Sequence, residues 1–252
     1  SEQMQKMQQD AFSYKAQDYI TAFKNMDLQS SLPQHVLSYY TSLVSWDFQY
    51  LADSEAPTYF DILYKKLSEN TWDELWTLKK DMDVNMPEPW RLLELIETDP
   101  ANKYFDNKTT TKIETAKDIV IQSLIDMASD LDKMKKESKD LTWGKYKPLH
   151  IYHLTRIPAF SVMDLPANGC PDAINATGYS FGPSWRMVIS LEDKVKGHAV
   201  YPGGQSGNPT SKYYKNMVDA WLKGEYYSLN IYATANELNQ TKTQSVTLNP
   251  VQ

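Results

Sequence analysis

The chain has 252 residues, a formal net charge of −6 and a single cysteine, Cys170. This length allows one large domain or two ordinary ones, and an acidic chain without a basic block is unsuited to nucleic acid. No apolar run approaches the ~18 residues that a membrane helix needs, and one cysteine excludes an internal disulfide or a multi-cysteine metal site. The sequence therefore predicts a protein that binds no nucleic acid, membrane, metal ion or cofactor.

The first 140 residues are predicted to form an all-helical domain. Apolar residues at three- and four-residue spacing predict one helix over residues 3–23 and a second over residues 35–51. Capping-box patterns at Thr58–Asp61 and Thr71–Glu74 predict the starts of a third and a fourth helix. The segment Pro87–Ile96 predicts a fifth, since proline is tolerated in a first helical turn.

The clearest helical pattern follows a capping box at Thr111–Glu114. Its apolar residues step by three or four positions, which predicts a long helix with one buried stripe. The residues of that stripe are Ile113, Ala116, Val120, Leu124, Met127, Leu131 and Met134.

Composition changes near Leu141, where prolines, glycines and short β-favouring runs replace the helical pattern. Ile151–Tyr152 and Tyr227–Tyr232 are two such runs. We therefore place a domain boundary near residue 140 and predict a β-rich segment over residues 141–252. Together with the helical domain 1–140, this segment makes an α+β fold.

A strand is predicted at residues 185–191, because its side chains alternate with a period of two. Trp185, Met187, Ile189 and Leu191 share one face, whereas Arg186, Val188 and Ser190 share the other. We expect Arg186 on the outward face, where it would anchor the following loop by hydrogen bonds. Binding of a substrate carboxylate is the alternative role for this side chain.

Residues 201–211 are predicted to form a loop, because three glycines and two prolines do not fit a helix or a central strand. Ser211 is suited to cap the next helix, predicted near residues 211–223. Gly224 would end that helix in the left-handed region.

Three segments of this second part stand out: Gly182–Val188 (Gly-Pro-Ser-Trp-Arg-Met-Val), Pro202–Pro209 (Pro-Gly-Gly-Gln-Ser-Gly-Asn-Pro) and Trp221–Tyr226 (Trp-Leu-Lys-Gly-Glu-Tyr). In this order and spacing they resemble the C-terminal signature of the penicillin acylase family. The chain departs from the family at Tyr213, Lys215 and Asn216, where members usually have histidine and then acidic residues.

The helical part is similar to the same family in collinear order. Leu43–Asp47 resembles the family's Leu-x-x-Trp-Asp-Gly, with Phe48 in place of glycine, and Tyr104–Thr115 resembles its Trp-Phe-Asp…Thr…Glu-Thr run. Met4–Asp10 is similar to a segment well downstream of the start of the acylases' larger subunit. Trp143–Gly144, with His150 and His153, resembles a Trp-Gly segment that ends in histidines, so the resemblance spans almost the whole chain.

This resemblance implies an N-terminal-nucleophile hydrolase with an αββα sandwich, to which residues 141–252 belong. Such enzymes cleave an amide through an acyl-enzyme on an N-terminal serine whose own α-amine, with a pKa near ~8, acts as the base. The resemblance also implies a periplasmic or secreted location. Ser1 is expected to be a cut end or tag remnant rather than this nucleophile, because Met4–Asp10 matches a point far downstream of it.

Other candidate sites are weaker. Ser206 lacks the glycine of a nucleophile elbow, since Asn208 stands in its place. Asp81, Asp83 and Asn85 begin like a calcium loop, but Met86 takes the glycine position and Leu92 the closing glutamate position. His150 and His153 could ligate a metal but are expected to be packed or hydrogen-bonded, and Cys170 is expected to be a loop cysteine unless a histidine meets it in space.

The sequence therefore predicts the C-terminal part of the larger (β) subunit of a penicillin-acylase-like amidohydrolase, without catalytic, substrate-binding or metal residues of its own. Its expected partners are the smaller subunit and the upstream part of the larger subunit. Unpaired strand edges would favour a homodimer of the isolated piece. Two alternatives stay open: a stand-alone helical binding module, and an acylase relative acting on acyl-homoserine lactones or cephalosporin side chains.

Overall fold

Helices dominate the chain up to residue 146 in the computed structural model, which describes residues 2–241 and 246–247. Within these residues no helix combines the length and the apolar character needed to span a bilayer. The helices before the first strand are α1 (Glu2–Met7), α2 (Tyr14–Lys24), α3 (Gln34–Ser45), α4 (Ala56–Thr71), α5 (Asp73–Leu78), α6 (Pro89–Thr98), α7 (Ala116–Lys136) and α8 (Trp143–Tyr146).

Short strands follow, interspersed with further helices. In chain order these elements are β1 (Leu149–Ile151), β2 (Val162–Leu165), β3 (Arg186–Ser190), β4 (Lys196–Val200), α9 (Val218–Lys223), β5 (Tyr227–Leu229) and α10 (Ala235–Thr241). The chain is thus an α+β protein, which confirms the predicted fold class.

The chain divides into two compact units. The larger unit comprises Met7–Pro183, and the smaller unit comprises the described residues from Ser184 onward together with residues 2–6. Strands β1 and β2 pair in antiparallel fashion and belong to the larger unit with the helices. Helices give way to strands close to the boundary expected near residue 140, while the division into domains 1–140 and 141–252 stays a prediction.

The core of the larger unit is centred on α4 and α7, which pack along each other. One stripe of α7 is buried, as its apolar spacing predicts, whereas Ile113 precedes the helix and is 81% exposed. Met134 is only partly buried against the core. The buried stripe consists of Ala116, Ile119, Val120, Ser123, Leu124, Met127, Ala128 and Leu131.

The capping box of α7 lies one turn later than predicted. Thr115 is the N-cap, and the Asp118 carboxylate accepts the Thr115 N–H at 2.9 Å. Glu114 cannot serve a box starting at Thr111, because its carboxylate accepts the Thr110 hydroxyl at 2.6 Å and the Asn107 N–H at 3.1 Å. The Glu114 carboxylate, which the sequence pattern assigned to the cap, is therefore bound by the preceding loop instead.

The single helix predicted over residues 3–23 is wrong, because residues 8–13 interrupt it and leave α1 and α2 separate. Phe12 forms an isolated antiparallel bridge with Gln49. The Ser13 N–H donates to the Phe48 carbonyl at 3.0 Å, and the Ser13 hydroxyl accepts the Ala16 N–H at 3.1 Å as the cap of α2. A contact between distant residues thus overrides the local helical pattern.

The next helices begin or end at other residues than predicted. The helix predicted over residues 35–51 ends at Ser45, because the next residue, Trp46, is extended with φ −70° and ψ 145°. The predicted caps Thr58 and Thr71 are wrong. Both are buried within α4, and neither hydroxyl has a hydrogen-bond partner in the described part of the chain. The predicted helix at Pro87–Ile96 is present as α6.

The smaller unit contains an antiparallel sheet in the order β3-β4-β5. Arg186 pairs with Val200 and Ser190 with Lys196, which sets the register of β3 on β4. The helix predicted near residues 211–223 begins only at Val218, because the Met217 N–H donates to the Gly203 carbonyl at 3.0 Å and holds the preceding segment to the loop. Gly224 ends α9 with φ +74°, as predicted.

Candidate functional site

Strand β3 buries the face that the sequence suggested would point outward. Arg186 and Val188 are 4% and 9% exposed, whereas Trp185 and Met187 on the other face are 54% and 43% exposed. The expectation of an outward Arg186 is therefore wrong. The reason is helix α9, whose Trp221 is buried and contacts Arg186 within the smaller unit.

Arg186 anchors α9 to the sheet. Its Nη1 donates to the Trp221 carbonyl at 2.6 Å, and its guanidinium carbon lies 4.9 Å from the centre of the Trp221 ring. Burial lowers the pKa of Arg186 from its ordinary value, because desolvation disfavours the charged form. The side chain is a hydrogen-bond anchor, as expected, but its partner is the end of α9.

The opposite side of the sheet, which we call the apolar sheet face, consists of large apolar side chains, most of which are exposed. Trp185 stacks on Tyr201 with ring centres 5.9 Å apart. A Cβ atom at Gly197 would lie 2.9–3.1 Å from side-chain carbons of Ile189, Leu229 and Ile231, so these three side chains meet above the glycine. The face comprises Trp185, Met187, Ile189, Leu191, Tyr201, Tyr227, Leu229 and Ile231.

The same sheet has two outer strands. In the described part of the chain, β3 and β5 are the outer strands, and each pairs only with β4. An exposed group of large apolar side chains is typical of a surface that contacts more protein.

Of the nucleophile candidates, Ser206 and Cys170 lie among the described residues and lack a catalytic environment. Ser1 lies outside the described residues, and Ser206 sits in a turn where its hydroxyl accepts the Asn208 N–H at 3.1 Å. Cys170 is 2% exposed, and burial raises the pKa of its thiol to about 11. No hydrogen bond joins a histidine to Ser206 or Cys170 within residues 2–241.

The two candidate histidines are held by local hydrogen bonds and ring contacts. His150 is buried, its Nδ1 accepts the Asp164 N–H at 3.0 Å, and its ring centre lies 4.4 Å from that of Tyr179. The His153 Nδ1 lies 3.0 Å from the Thr155 hydroxyl, and its ring packs against Phe160. These contacts position the β1–β2 hairpin.

The acidic motif beginning at Asp81 lies on the surface. Asp81, Asp83 and Asn85 are exposed in the segment between α5 and α6. No group of three histidine, cysteine, aspartate or glutamate side chains in the described residues is arranged to hold a metal ion.

The sequence analysis did not predict the apolar sheet face, although the alternation at residues 185–191 placed four of its side chains on one face. The sequence did not show which element packs against the opposite face of β3. Only the position of Trp221, 35 residues after Arg186 in the chain, decides that Arg186 points inward.

Comparisons with known proteins agree on one family. The sequence profile described as penicillin amidase matches residues 1–237. The chain is 31% identical over 153 residues to the acyl-homoserine lactone acylase QuiP of Pseudomonas fluorescens, a match that covers 56% of this chain and 18% of that protein. It is 29% identical over 167 residues to the protein of the same name from Pseudomonas syringae pv. tomato, which covers 58% and 20%.

A solved structure shares the fold. The thermostable penicillin G acylase from Alcaligenes faecalis matches with a TM-score of 0.61 and 11% identity, over 96% of this chain and 47% of that one. In each of these matches the aligned part is less than half of the known protein, and for the two Pseudomonas proteins it is 18% and 20%.

Proposed function

Since the chain belongs to the penicillin amidase family, as its sequence motifs predict, we propose that it is one part of a longer amidohydrolase. The proposed reaction is hydrolysis of the amide between a small acyl group and an amine. The hydroxyl of an N-terminal serine attacks the amide carbon, the amine leaves with a proton, and water then hydrolyses the acyl ester. The family match and the acylase relatives support this reaction class.

We place the serine nucleophile upstream of these residues. The similarity of Met4–Asp10 to a segment downstream of the nucleophile supports this placement. The environment of Cys170 supports it as well, because a buried neutral thiol is a poor nucleophile. The role of this chain is then to supply the helical layer and the last strands of the sandwich that presents the active site.

The apolar sheet face carries this proposal. Large side chains such as Met187 and Ile189 are 43% and 37% exposed. Burying them against another polypeptide would stabilise the complex by about 25 cal/mol for each Å² of apolar surface removed from water. We propose that the upstream part of the larger subunit and the smaller subunit cover this face. The penicillin G acylase chain of the same fold is about twice as long as the matched part, which leaves room for such a cover.

Reconstitution from two polypeptides tests the proposal. The 252-residue chain is expressed alone, and also together with the upstream remainder of its longer protein, and amide hydrolysis is measured. We expect turnover only when both are present. We expect Met187→Asp, on the apolar sheet face, to lower the yield of active complex at least tenfold, and Ile113→Asp, exposed in a loop of the larger unit, to leave it unchanged.

Two results would contradict the proposal. One is hydrolysis by the 252-residue chain alone at the rate of the reconstituted enzyme. The other is a chain that neither binds nor activates the remainder, which would support a stand-alone helical binding module instead.

N-acyl-homoserine lactones are the first substrates to examine. The two relatives compared above are both described as acyl-homoserine lactone acylases. We expect the reconstituted enzyme to have a higher kcat/KM for release of homoserine lactone from such compounds than for release of phenylacetate from penicillin G. The reverse order would favour the penicillin or cephalosporin side chain as the substrate.

A further inference from the structure

The larger unit contains a cavity of about 300 Å³ that the proposed function does not use. It lies where α2, α4 and α8 meet the loop that carries Cys170 and Asp172. This volume is at the lower end of the range for small-molecule sites. Part of its wall is aromatic, formed by the rings of Tyr50, Trp143, Tyr179 and Phe181.

Two ion pairs line the cavity. Lys15 on α2 pairs with Asp172, and Lys147, just after α8, pairs with Asp61 on α4 through an Nζ–Oδ1 contact of 2.6 Å. All four side chains retain partial exposure, between 24% and 46%. Partly solvated ion pairs are weak, so a ligand group can take the place of either member.

Tyr50 adds a neutral hydrogen-bonding group to the wall of the cavity. Its side chain is 4% exposed and lines the cavity. Burial raises the pKa of Tyr50 well above its ordinary value, and the proximity of Cys170, Asp61 and Asp172 raises it further. The phenol therefore keeps its proton and can donate a hydrogen bond to a bound molecule.

Charge balance indicates which ligand would fit. The two lysines and two aspartates sum to zero, with cationic and anionic groups both present on the wall. A singly charged ligand would bring an uncompensated charge into a half-buried space, which is costly. A zwitterion brings one group of each sign, and its apolar side chain can contact the aromatic rings.

We propose that this cavity binds a small zwitterion, an α-amino acid with an aromatic side chain, whose ammonium is received by Asp61 or Asp172 and whose carboxylate is received by Lys147 or Lys15. The site lies wholly within the larger unit. The proposal is independent of the amidohydrolase assignment, and failure of either leaves the other standing.

Calorimetric titration of the 252-residue chain with three matched probes tests the proposal. The probes are L-phenylalanine, its amide, which is a cation, and its N-acetyl derivative, which is an anion. We expect saturable binding of L-phenylalanine with a Kd at least tenfold lower than that of either charged analogue.

Variants then locate the site. Tyr50→Phe keeps the ring but removes the donor, and we expect it to raise the Kd for L-phenylalanine about three- to tenfold. Joint replacement of Asp61 and Lys147 by Asn and Gln should abolish binding. The matched control replaces Lys65 and Glu69, an exposed ion pair on the surface of α4, by glutamine and should leave the Kd unchanged.

The proposal is overturned if L-phenylalanine shows no saturable binding, if the three probes bind equally, or if the Lys65 and Glu69 control weakens binding as much as the cavity variants do. Thermal unfolding of each variant shows whether a loss of binding reflects loss of folding. If the double variant does not fold, Tyr50→Phe alone decides, and an unchanged Kd in it contradicts the proposal.

Discussion

The Arg186 guanidinium is buried between strand β3 and helix α9, where it contacts the Trp221 ring and donates to the Trp221 carbonyl. Burial of a charge is costly unless hydrogen bonds replace the lost water. The carbonyl at the end of α9 supplies one such bond, and it lies at the helix end that favours a cation. The hydrogen bond and the ring contact with Trp221 thereby hold Arg186 on the buried face of the sheet.

Cys170 gives a prediction about stability and pH. Burial raises its folded-state pKa to about 11, above the ordinary thiol pKa of 9.0 that applies to the unfolded chain. The stabilisation linked to this raised pKa is fully present below pH 9 and is lost as the pH rises through 11, because the unfolded chain then releases a proton that the folded chain retains. We expect the loss linked to Cys170 to reach about 1–3 kcal/mol.

Chemical unfolding of the wild-type chain and of Cys170→Ala between pH 8 and pH 11 measures this effect. The substitution removes packing at every pH, but the difference in the free energy of unfolding between the two proteins should shrink as the pH rises. A difference that stays constant across this interval would show that the thiol is not linked to folding. Buried tyrosines ionise in both proteins and so cancel in the comparison.

Helix α7 shows how element boundaries arise. The predicted capping box starts at Thr111, but the structure uses a box that starts at Thr115. Glu114 is bound by the loop residues Asn107 and Thr110, whereas the Asp118 carboxylate accepts the Thr115 N–H. Local patterns therefore located the helix, and the loop before it selected the starting residue.

The two possible caps can be separated by a matched pair of substitutions. Thr115→Ala should lower the free energy of unfolding by about 1 kcal/mol, because it removes the N-cap oxygen of α7. Thr111→Ala, at an exposed position before the helix, should change it by less than about 0.5 kcal/mol. Denaturant unfolding of both variants measures the difference, and equal effects would place the cap elsewhere.

At the scale of the whole molecule, the apolar sheet face is a group of large apolar side chains of which most are exposed. Exposed apolar patches mark surfaces that meet other protein. Under the proposed function, the remainder of the longer enzyme buries this face. In the isolated chain, a second copy can take that place, which accounts for the predicted homodimer.

Self-association of the isolated chain is therefore expected and should depend on this face. We expect sedimentation velocity to show a monomer–dimer equilibrium, and Ile189→Asp to weaken dimerisation at least tenfold, since a charge on the face opposes burial. Leu154→Asp, at a position 94% exposed in the larger unit, is the matched control and should leave the equilibrium unchanged. A wild-type chain that stays monomeric at high concentration would contradict this prediction.

The sequence by itself determined the family, the α+β class and the positions of most helices. These properties depend on residues close together in the chain. The stripe from Ala116 to Leu131 follows from three- and four-residue spacing, and the end of α9 follows from Gly224. The family follows from short motifs read in order along the chain.

Only the tertiary structure decided which face of β3 is buried, where α2 begins, and how two ion pairs come to line one cavity. Each of these depends on partners far apart in sequence: Arg186 on Trp221, Ser13 on Phe48, and Lys147 on Asp61. The period-two pattern shows which side chains share a face of a strand. Which of the two faces is buried depends on what packs against each of them.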